Sequence, residues 1–276
     1  MTPVFEWKQE DFEKLVANCP DEPVTPFVFK YFKPTDWLLE SGCGSGRFVY
    51  WLAQQGFTIE GMEINPATVA DLNARFPQLA IRTGDVRALP YPDNCFDGIL
   101  SLGVIEHVFE GMAEPIREMH RVLKPGGTAL VIVPSFNRVR QWKYRTGIYH
   151  LHALLGYVKR ANWVRRLCGK PPHHGEPNPR LAVRPPFKRW PMFGEFFEYR
   201  LTKAEFEHEL TRQGFEIVES VPTSLIDGLY IEFGRLVVRF GHLEFFPNAA
   251  GRWLNAWLAK RPFWHNHMHL CVVRKP

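Results

Sequence analysis

Leu38-Leu39-Glu40-Ser41-Gly42-Cys43-Gly44-Ser45-Gly46 decides the reading of this chain. An apolar run passes through three alternate glycines and straight into Phe48, Val49, Trp51 and Leu52, which spells a strand, a tight turn and a helix in succession. Glycines at such a turn let backbone approach a ligand closely, and N–H groups at the helix start favour a phosphate or a carboxylate. Glu63 follows at the end of the next apolar run, where an acid can accept hydrogen bonds from both hydroxyls of a ribose. Loop and acid together imply an adenosine-type ligand. The third glycine comes two residues after the second, whereas the dinucleotide fingerprint wants three, so a pyrophosphate ligand and a nicotinamide dehydrogenase are both disfavoured.

Outward from this stretch, strand-like runs alternate with helix-period segments, the pattern of a parallel sheet covered on both faces. Strands are predicted over 37–40, 58–62, 80–83, 96–100 and 128–133, the last preceded by Lys124-Pro125-Gly126-Gly127 read as a breaker. A helix over 46–55 stops at Gly56, and a second is capped by Asn65 and Pro66 with Val69, Leu72 and Phe76 inward. Ile116, Met119, Val122 and Leu123 outline a third. Thr202-Lys203-Ala204-Glu205 is a capping box opening a helix to about Gln213, with Gly214 as its stop, and strands over 216–221 and 268–274 close the fold.

With 276 residues, 45% of them apolar and 23% charged, the chain fits one elaborated globular domain and excludes collagen-like, coiled-coil and wholly disordered classes. Five scattered cysteines without a Cys-x-x-Cys spacing point to a reducing cytosol. Charged residues from Glu6 to Lys14 leave no apolar signal core, and Asp227, Glu232, Arg235 and Arg239 break the most apolar later stretch, so neither secretion nor a transmembrane helix is expected. The net charge of +5 is uneven: residues 134–198 hold thirteen Lys/Arg against Glu176, Glu195 and Glu198, and the remainder is net acidic.

Five ordered motifs over roughly residues 35–135 resemble the class I S-adenosylmethionine-dependent methyltransferases, in the small-molecule branch that includes the quinone-ring methyltransferases. They are the Glu40 to Gly46 loop, Gly61-Met62-Glu63-Ile64, Gly84-Asp85-Val86, Phe96-Asp97 with Ser101 to Val108, and Arg121 to Gly127; Ser41 departs from the usual aliphatic residue. The resemblance implies a doubly wound, Rossmann-like α/β fold with a seven-stranded, mostly parallel sheet and an added helical and aromatic lid over the acceptor. It implies S-adenosyl-L-methionine as cofactor, bound by Glu40, Gly42, Cys43, Gly44, Gly46, Glu63, Ile64, Asp85, Val86 and Leu102. Glu40 would assist the cofactor's amino group, and the glycine-loop backbone would receive its carboxylate. Two residues keep bland alternatives: Glu40 as a solvated strand-end acid and Asp85 as a turn former.

Methyl transfer is an in-line displacement, and a hydroxyl acceptor also needs a base. His107, just after the fourth strand, has a suitable unperturbed pKa for that role; capping or packing fits its position equally, and Glu106 is ambiguous in the same way. His173-His174 and His265, His267, His269 invite a metal, but His265 and His269 on a strand would sit about 13 Å apart, and polar alternation against Met268, Leu270 and Val272 explains them better; no metal site is expected.

Residues 1–133 are expected to hold N-terminal helices and the cofactor half. Residues 134–198 form a basic, aromatic insertion, and 199–276 the C-terminal half with a helical insertion at 223–262. The basic insertion has three readings: an acceptor lid, an amphipathic element on an anionic membrane through which a lipid-like acceptor enters, or, ranked last, a nucleic-acid groove. Arg138, Arg140, Lys143 and Arg145 are its first cations. The expected protein is cytoplasmic, peripheral at the membrane in the second case, and methylates a small-molecule or lipid-like acceptor. A non-catalytic cofactor-binding scaffold and an RNA methyltransferase are the alternatives.

Overall fold

Neighbouring residues of a strand point to opposite faces of a sheet, and here both faces are apolar: Leu38, Leu100, Leu130 and Val272 pack on one side, Leu39, Ile99, Val131 and Val273 on the other. Such strands need helices over both faces. The computed structural model describes residues 7, 11–148, 166–169, 198–241, 244–261 and 263–276. In chain order the elements are α1 (Phe12–Asn18), α2 (Thr25–Tyr31), β1 (Trp37–Ser41), α3 (Arg47–Gln54), β2 (Thr58–Glu63), α4 (Pro66–Arg75), β3 (Ala80–Thr83), β4 (Phe96–Leu102), α5 (Ala113–Val122), β5 (Leu123–Pro134) and α6 (Arg138–Arg145). Later in the chain come α7 (Lys203–Thr211), β6 (Glu216–Thr223), α8 (Leu225–Phe233), β7 (Val238–Gly241), β8 (Glu244–Pro247), α9 (Ala249–Ala259) and β9 (Met268–Arg274).

The seven-stranded sheet has the order β3-β2-β1-β4-β5-β9-β6, with β9 antiparallel to both neighbours and the other pairs parallel. This is the expected doubly wound, Rossmann-like architecture. One face is covered by Phe12, Val28, Phe48, Val49, Leu52 and Leu72 from α1 to α4, and the other by Ile116, Met119, Phe206 and Leu210 from α5 and α7. Local signals act as expected: the Asn65 side chain accepts from the N–H groups of Ala67 and Thr68, and Thr202 with Glu205 forms a complete capping box. Strand order reverses between β1 and β4, which opens a crevice at their carboxyl ends.

Four expectations need correction. Lys124 to Gly127 is no breaker, because β5 runs from Leu123 through it. Gly126 takes a left-handed φ of 79°, its N–H donates to Lys275 O, and the surplus residues are absorbed as a bulge opposite Phe96 and Gly98. Polar alternation does not explain the late histidines, since β9 lies between two strands and His269 is fully buried among them. His265 precedes that strand and bonds Asn255, whereas His269 bonds Ser220; burial pushes both imidazoles down to about 4. The 223–262 segment is not purely helical: the β7–β8 hairpin packs with α8 and α9 around Leu229, Val238 and Leu258.

The fourth correction concerns charge. Arg140 and Lys143 are not surface cations of the basic insertion, because both turn inward to Glu232 on α8. The Arg140 Nε donates to Glu232 Oε1 at 2.8 Å, and both side chains are almost wholly buried. Burial raises the Glu232 carboxyl, but Arg140 and then Lys143 outweigh it and hold the group below its ordinary range. The two ends of the 134–198 segment meet at the sheet, where Ser135 bridges Leu201 and the Phe136 N–H donates to Leu201 O. Residues 149–165 and 170–197 of this segment, His173-His174 among them, lie outside the described residues.

Candidate cofactor site

The glycine loop is held where β1 ends. The N–H groups of Gly42 and Cys43 both donate to Met62 O, at 2.9 and 2.8 Å, and Gly46 N–H donates to Cys43 O, so the turn is pinned to β2 and to itself. Gly42, Gly44 and Gly46 all adopt left-handed backbone, and side chains at the first two would strike Val104 and the Trp7 ring. Gly46 is the N-cap of α3. Glu63 ends β2 directly beneath the loop: its Oε2 accepts from Gly44 N–H at 2.9 Å and its Oε1 from Asn65 N–H at 3.0 Å, which fixes a buried carboxylate in one orientation.

Around these groups lies a pocket of about 280 Å³. It brings together Glu40, Gly42, Cys43, Gly44, Glu63, Ile64, Asp85, Val86, Leu102 and His107, residues from the ends of four strands and the turns that follow. Gly46 alone among the expected residues does not line it; its part is to start the helix. Arg47, Phe48, Val104, Val108 and Arg87 complete the wall, with Leu15 and Trp7 from the N-terminal segment. Trp7 was not legible as a site residue, because nothing in its local sequence marks a tryptophan that closes over a glycine thirty-odd residues away. A smaller recess of about 120 Å³ shares Arg47, Phe48 and Leu102 with this pocket and continues to Val24, Ile132 and Met268.

The electrostatics single out Glu40. Its side chain is buried, Oε2 has no hydrogen-bond partner, and burial pushes the carboxyl up to about 8 against the opposing pull of Arg47. The solvated strand-end alternative is therefore excluded. Asp85 is held by its own turn: Oδ1 accepts from the Arg87 N–H at 2.8 Å, and the Arg87 guanidinium keeps its carboxyl below the usual range. His107 sits on a short 3-10 turn, Ile105–His107, with Nε2 3.8 Å from Glu106 Oε1. Burial drives the Glu106 carboxyl well above its ordinary range, with Glu198 adding to the effect.

A pocket at the switch point of such a sheet, lined by a buried acid with an unpartnered oxygen and by a fixed acid beneath a glycine loop, suits a cationic amino acid joined to a nucleoside. Residues 39–131 match the family model described as a methyltransferase domain. The chain carries a class I S-adenosylmethionine-dependent methyltransferase domain. S-adenosylmethionine is the cofactor of that domain. Over 98 residues the chain is 39% identical to a "probable S-adenosylmethionine-dependent methyltransferase" of Mycolicibacterium smegmatis, covering 36% of this chain and 38% of the relative. It is 30% identical over 102 residues to the demethylmenaquinone methyltransferase of Chlorobaculum parvum, covering 37% of this chain and 42% of the relative. The chain thus matches well under half the length of these two relatives. The solved structure of a SAM-dependent methyltransferase from Archaeoglobus fulgidus superimposes with a TM-score of 0.55 at 14% identity, over 96% of this chain and 94% of that one, which is a likeness of fold.

Proposed function

We propose that the chain transfers a methyl group from S-adenosylmethionine to a small-molecule or lipid-like acceptor by in-line displacement. The observation that carries this is the buried, unpartnered Glu40 oxygen in the same pocket as the oriented Glu63 carboxylate. Glu63 would hold the ribose hydroxyls and Glu40 the cofactor's ammonium. Ile64, Val86 and Leu102 would sandwich the adenine, and Asp85 would contact its edge while Arg87 keeps that acid in place. Four loop N–H groups, those of Gly42, Cys43, Gly44 and Gly46, are already taken by Met62, Glu63 and Cys43. Recognition of the cofactor's carboxylate accordingly shifts to Ser45 and the first turn of α3.

Bound S-adenosylmethionine supplies an electrophilic methyl on a sulfonium centre. The chain's own contribution is alignment and dryness: Trp7, Leu15, Phe48, Val104 and Val108 give the pocket an apolar wall that suits an apolar acceptor. For a hydroxyl acceptor His107 would take the proton. The named activity of the demethylmenaquinone relative supports a lipid-like acceptor. In this reading residues 1–133 and 199–276 form the catalytic domain, and 134–198 is the lid that closes the acceptor side. Titrating S-adenosylhomocysteine into wild type and Glu63→Ala by calorimetry tests the cofactor assignment. Loss of two charge-assisted bonds, each worth about 1.5–3 kcal/mol, should weaken binding by about a hundredfold or more. Unchanged affinity in a folded variant rejects it, and absence of turnover across a panel of quinol and small phenolic acceptors would leave a cofactor-binding scaffold.

A further inference from the structure

Residues 225–261 build a small unit whose interior is Leu229, Val238 and Leu258, closed by Tyr230, Phe245 and Leu254. A core that small cannot accommodate every apolar side chain the segment carries. Leu236, Phe246, Trp253 and Trp257 are left 84, 52, 68 and 43% exposed. Single exposed hydrophobics are ordinary, but four on one small unit, two of them tryptophans, are not. Trp253 and Trp257 lie one turn apart on α9 and stack, with ring centroids at 6.5 Å and planes within 10°.

Cations accompany these rings. The Arg261 guanidinium lies 3.8 Å over the Trp257 ring, and Arg239 is the cross-strand partner of Phe246. Arg235, Arg252 and Lys260 are likewise exposed, and Glu244 is the one acidic residue in 234–261. Of the two acids on α8, Glu232 points inward to Arg140 and Lys143 and Asp227 is half-buried. The outer face is therefore aromatic and positive with almost no balancing charge. Neither pocket described above is lined by residues 234–261, so the face lies apart from the cofactor site.

We propose that this face docks on an anionic lipid surface, with Trp253, Trp257 and Phe246 entering the headgroup region and the arginines beside them meeting lipid phosphates. Indole rings combine an apolar body with a polar edge and settle at water–lipid boundaries, and a membrane accepts a face without complementary shape provided charge and apolar area coincide. The surface belongs to 225–261 and not to the basic segment 134–198, two of whose first four cations, Arg140 and Lys143, are spent on Glu232. The inference does not depend on the identity of the methyl acceptor.

Sedimentation of the full chain with phosphatidylglycerol-containing vesicles, against pure phosphatidylcholine, tests it. Wild type should pellet with the anionic vesicles at low salt and be released at high salt. Trp253→Ser with Trp257→Ser should weaken vesicle partitioning about tenfold or more while S-adenosylhomocysteine affinity stays unchanged, since neither indole lines the pocket. Quenching of tryptophan fluorescence by brominated lipid should fall with the same pair. A wild-type protein that ignores anionic vesicles overturns the proposal. So does a double variant that binds them as tightly as wild type, which would move attachment to 134–198. Loss of self-association in the double variant without any vesicle binding would make the face a protein interface instead.

Discussion

Glu40 carries its charge at a cost, and that cost ties cofactor binding to pH. Its carboxyl is raised from 4.5 to about 8 by burial, so the folded protein without cofactor holds the proton more tightly than the unfolded chain does. The stability this confers is complete below about 4.5 and is lost as pH rises through 8, on the order of a few kcal/mol. Glu106, raised in the same direction, adds to the trend. A cationic amino group at Glu40 requires the ionised acid, so affinity for S-adenosylhomocysteine should rise from pH 6 towards 8 with release of up to about one proton. Calorimetry in buffers of different ionisation enthalpy measures that release. Glu40→Gln should abolish it, weaken binding, and stabilise the cofactor-free protein at pH 8; an unchanged proton count would remove Glu40 from the site. His107 has a separate signature: His107→Ala should lower turnover at saturating acceptor with cofactor affinity intact, and unaltered turnover with chemistry rate-limiting would return it to packing. Both acids, the glycines and His107 were legible because each follows a strand end marked by its own turn. Trp7 was not, because its place depends on which segment folds back over the loop.

Elements with local punctuation were read from sequence almost to the residue, as α4 with its Asn65 cap and α7 with its capping box illustrate. Elements defined by neighbours were not. The bulge in β5 goes with Lys275, just after the last strand, which bonds Gly126 and Gly127, and β9 carries a buried histidine between two strands and two aromatic rings, Phe206 and Phe263. The pairing of α6 with α8 through Glu232 is likewise a contact between segments about ninety residues apart. Its two kinds of interaction can be ranked. Thr202→Ala removes one cap and should cost about 1 kcal/mol. Glu232→Gln leaves Arg140 buried without its counter-ion and should cost about 3–5 kcal/mol. Because the Glu232 carboxyl is held below its ordinary value, the pair's contribution is present at neutral pH and lost as pH falls below the ordinary carboxylate range. Urea unfolding of both variants at pH 7 compares them; equal losses would mean that the pair is solvated in solution.

At the scale of the molecule, the sheet separates two tasks. The cofactor pocket lies at the carboxyl ends of β1, β2 and β4 and in the turn after β3, on the half whose alternating pattern the sequence displays. The 225–261 unit hangs from the other half, between β6 and β9, and two of the contacts that hold it there differ in kind. One is the buried Arg140–Glu232 pair. The other is Gly228 on α8, which lies so close to the carbonyl of His265 that any side chain at this position would collide with backbone. Gly228→Ala should therefore displace α8 from the run into β9 and expose the hydrophobic interior around Leu229 to proteolysis. If the unit is a docking platform attached to an independently packed cofactor half, the variant should keep S-adenosylhomocysteine binding within a few-fold of wild type and lose attachment to anionic vesicles. Loss of cofactor binding in parallel with loss of attachment, in a variant still folded by circular dichroism, would show instead that the platform and the pocket share one cooperative core.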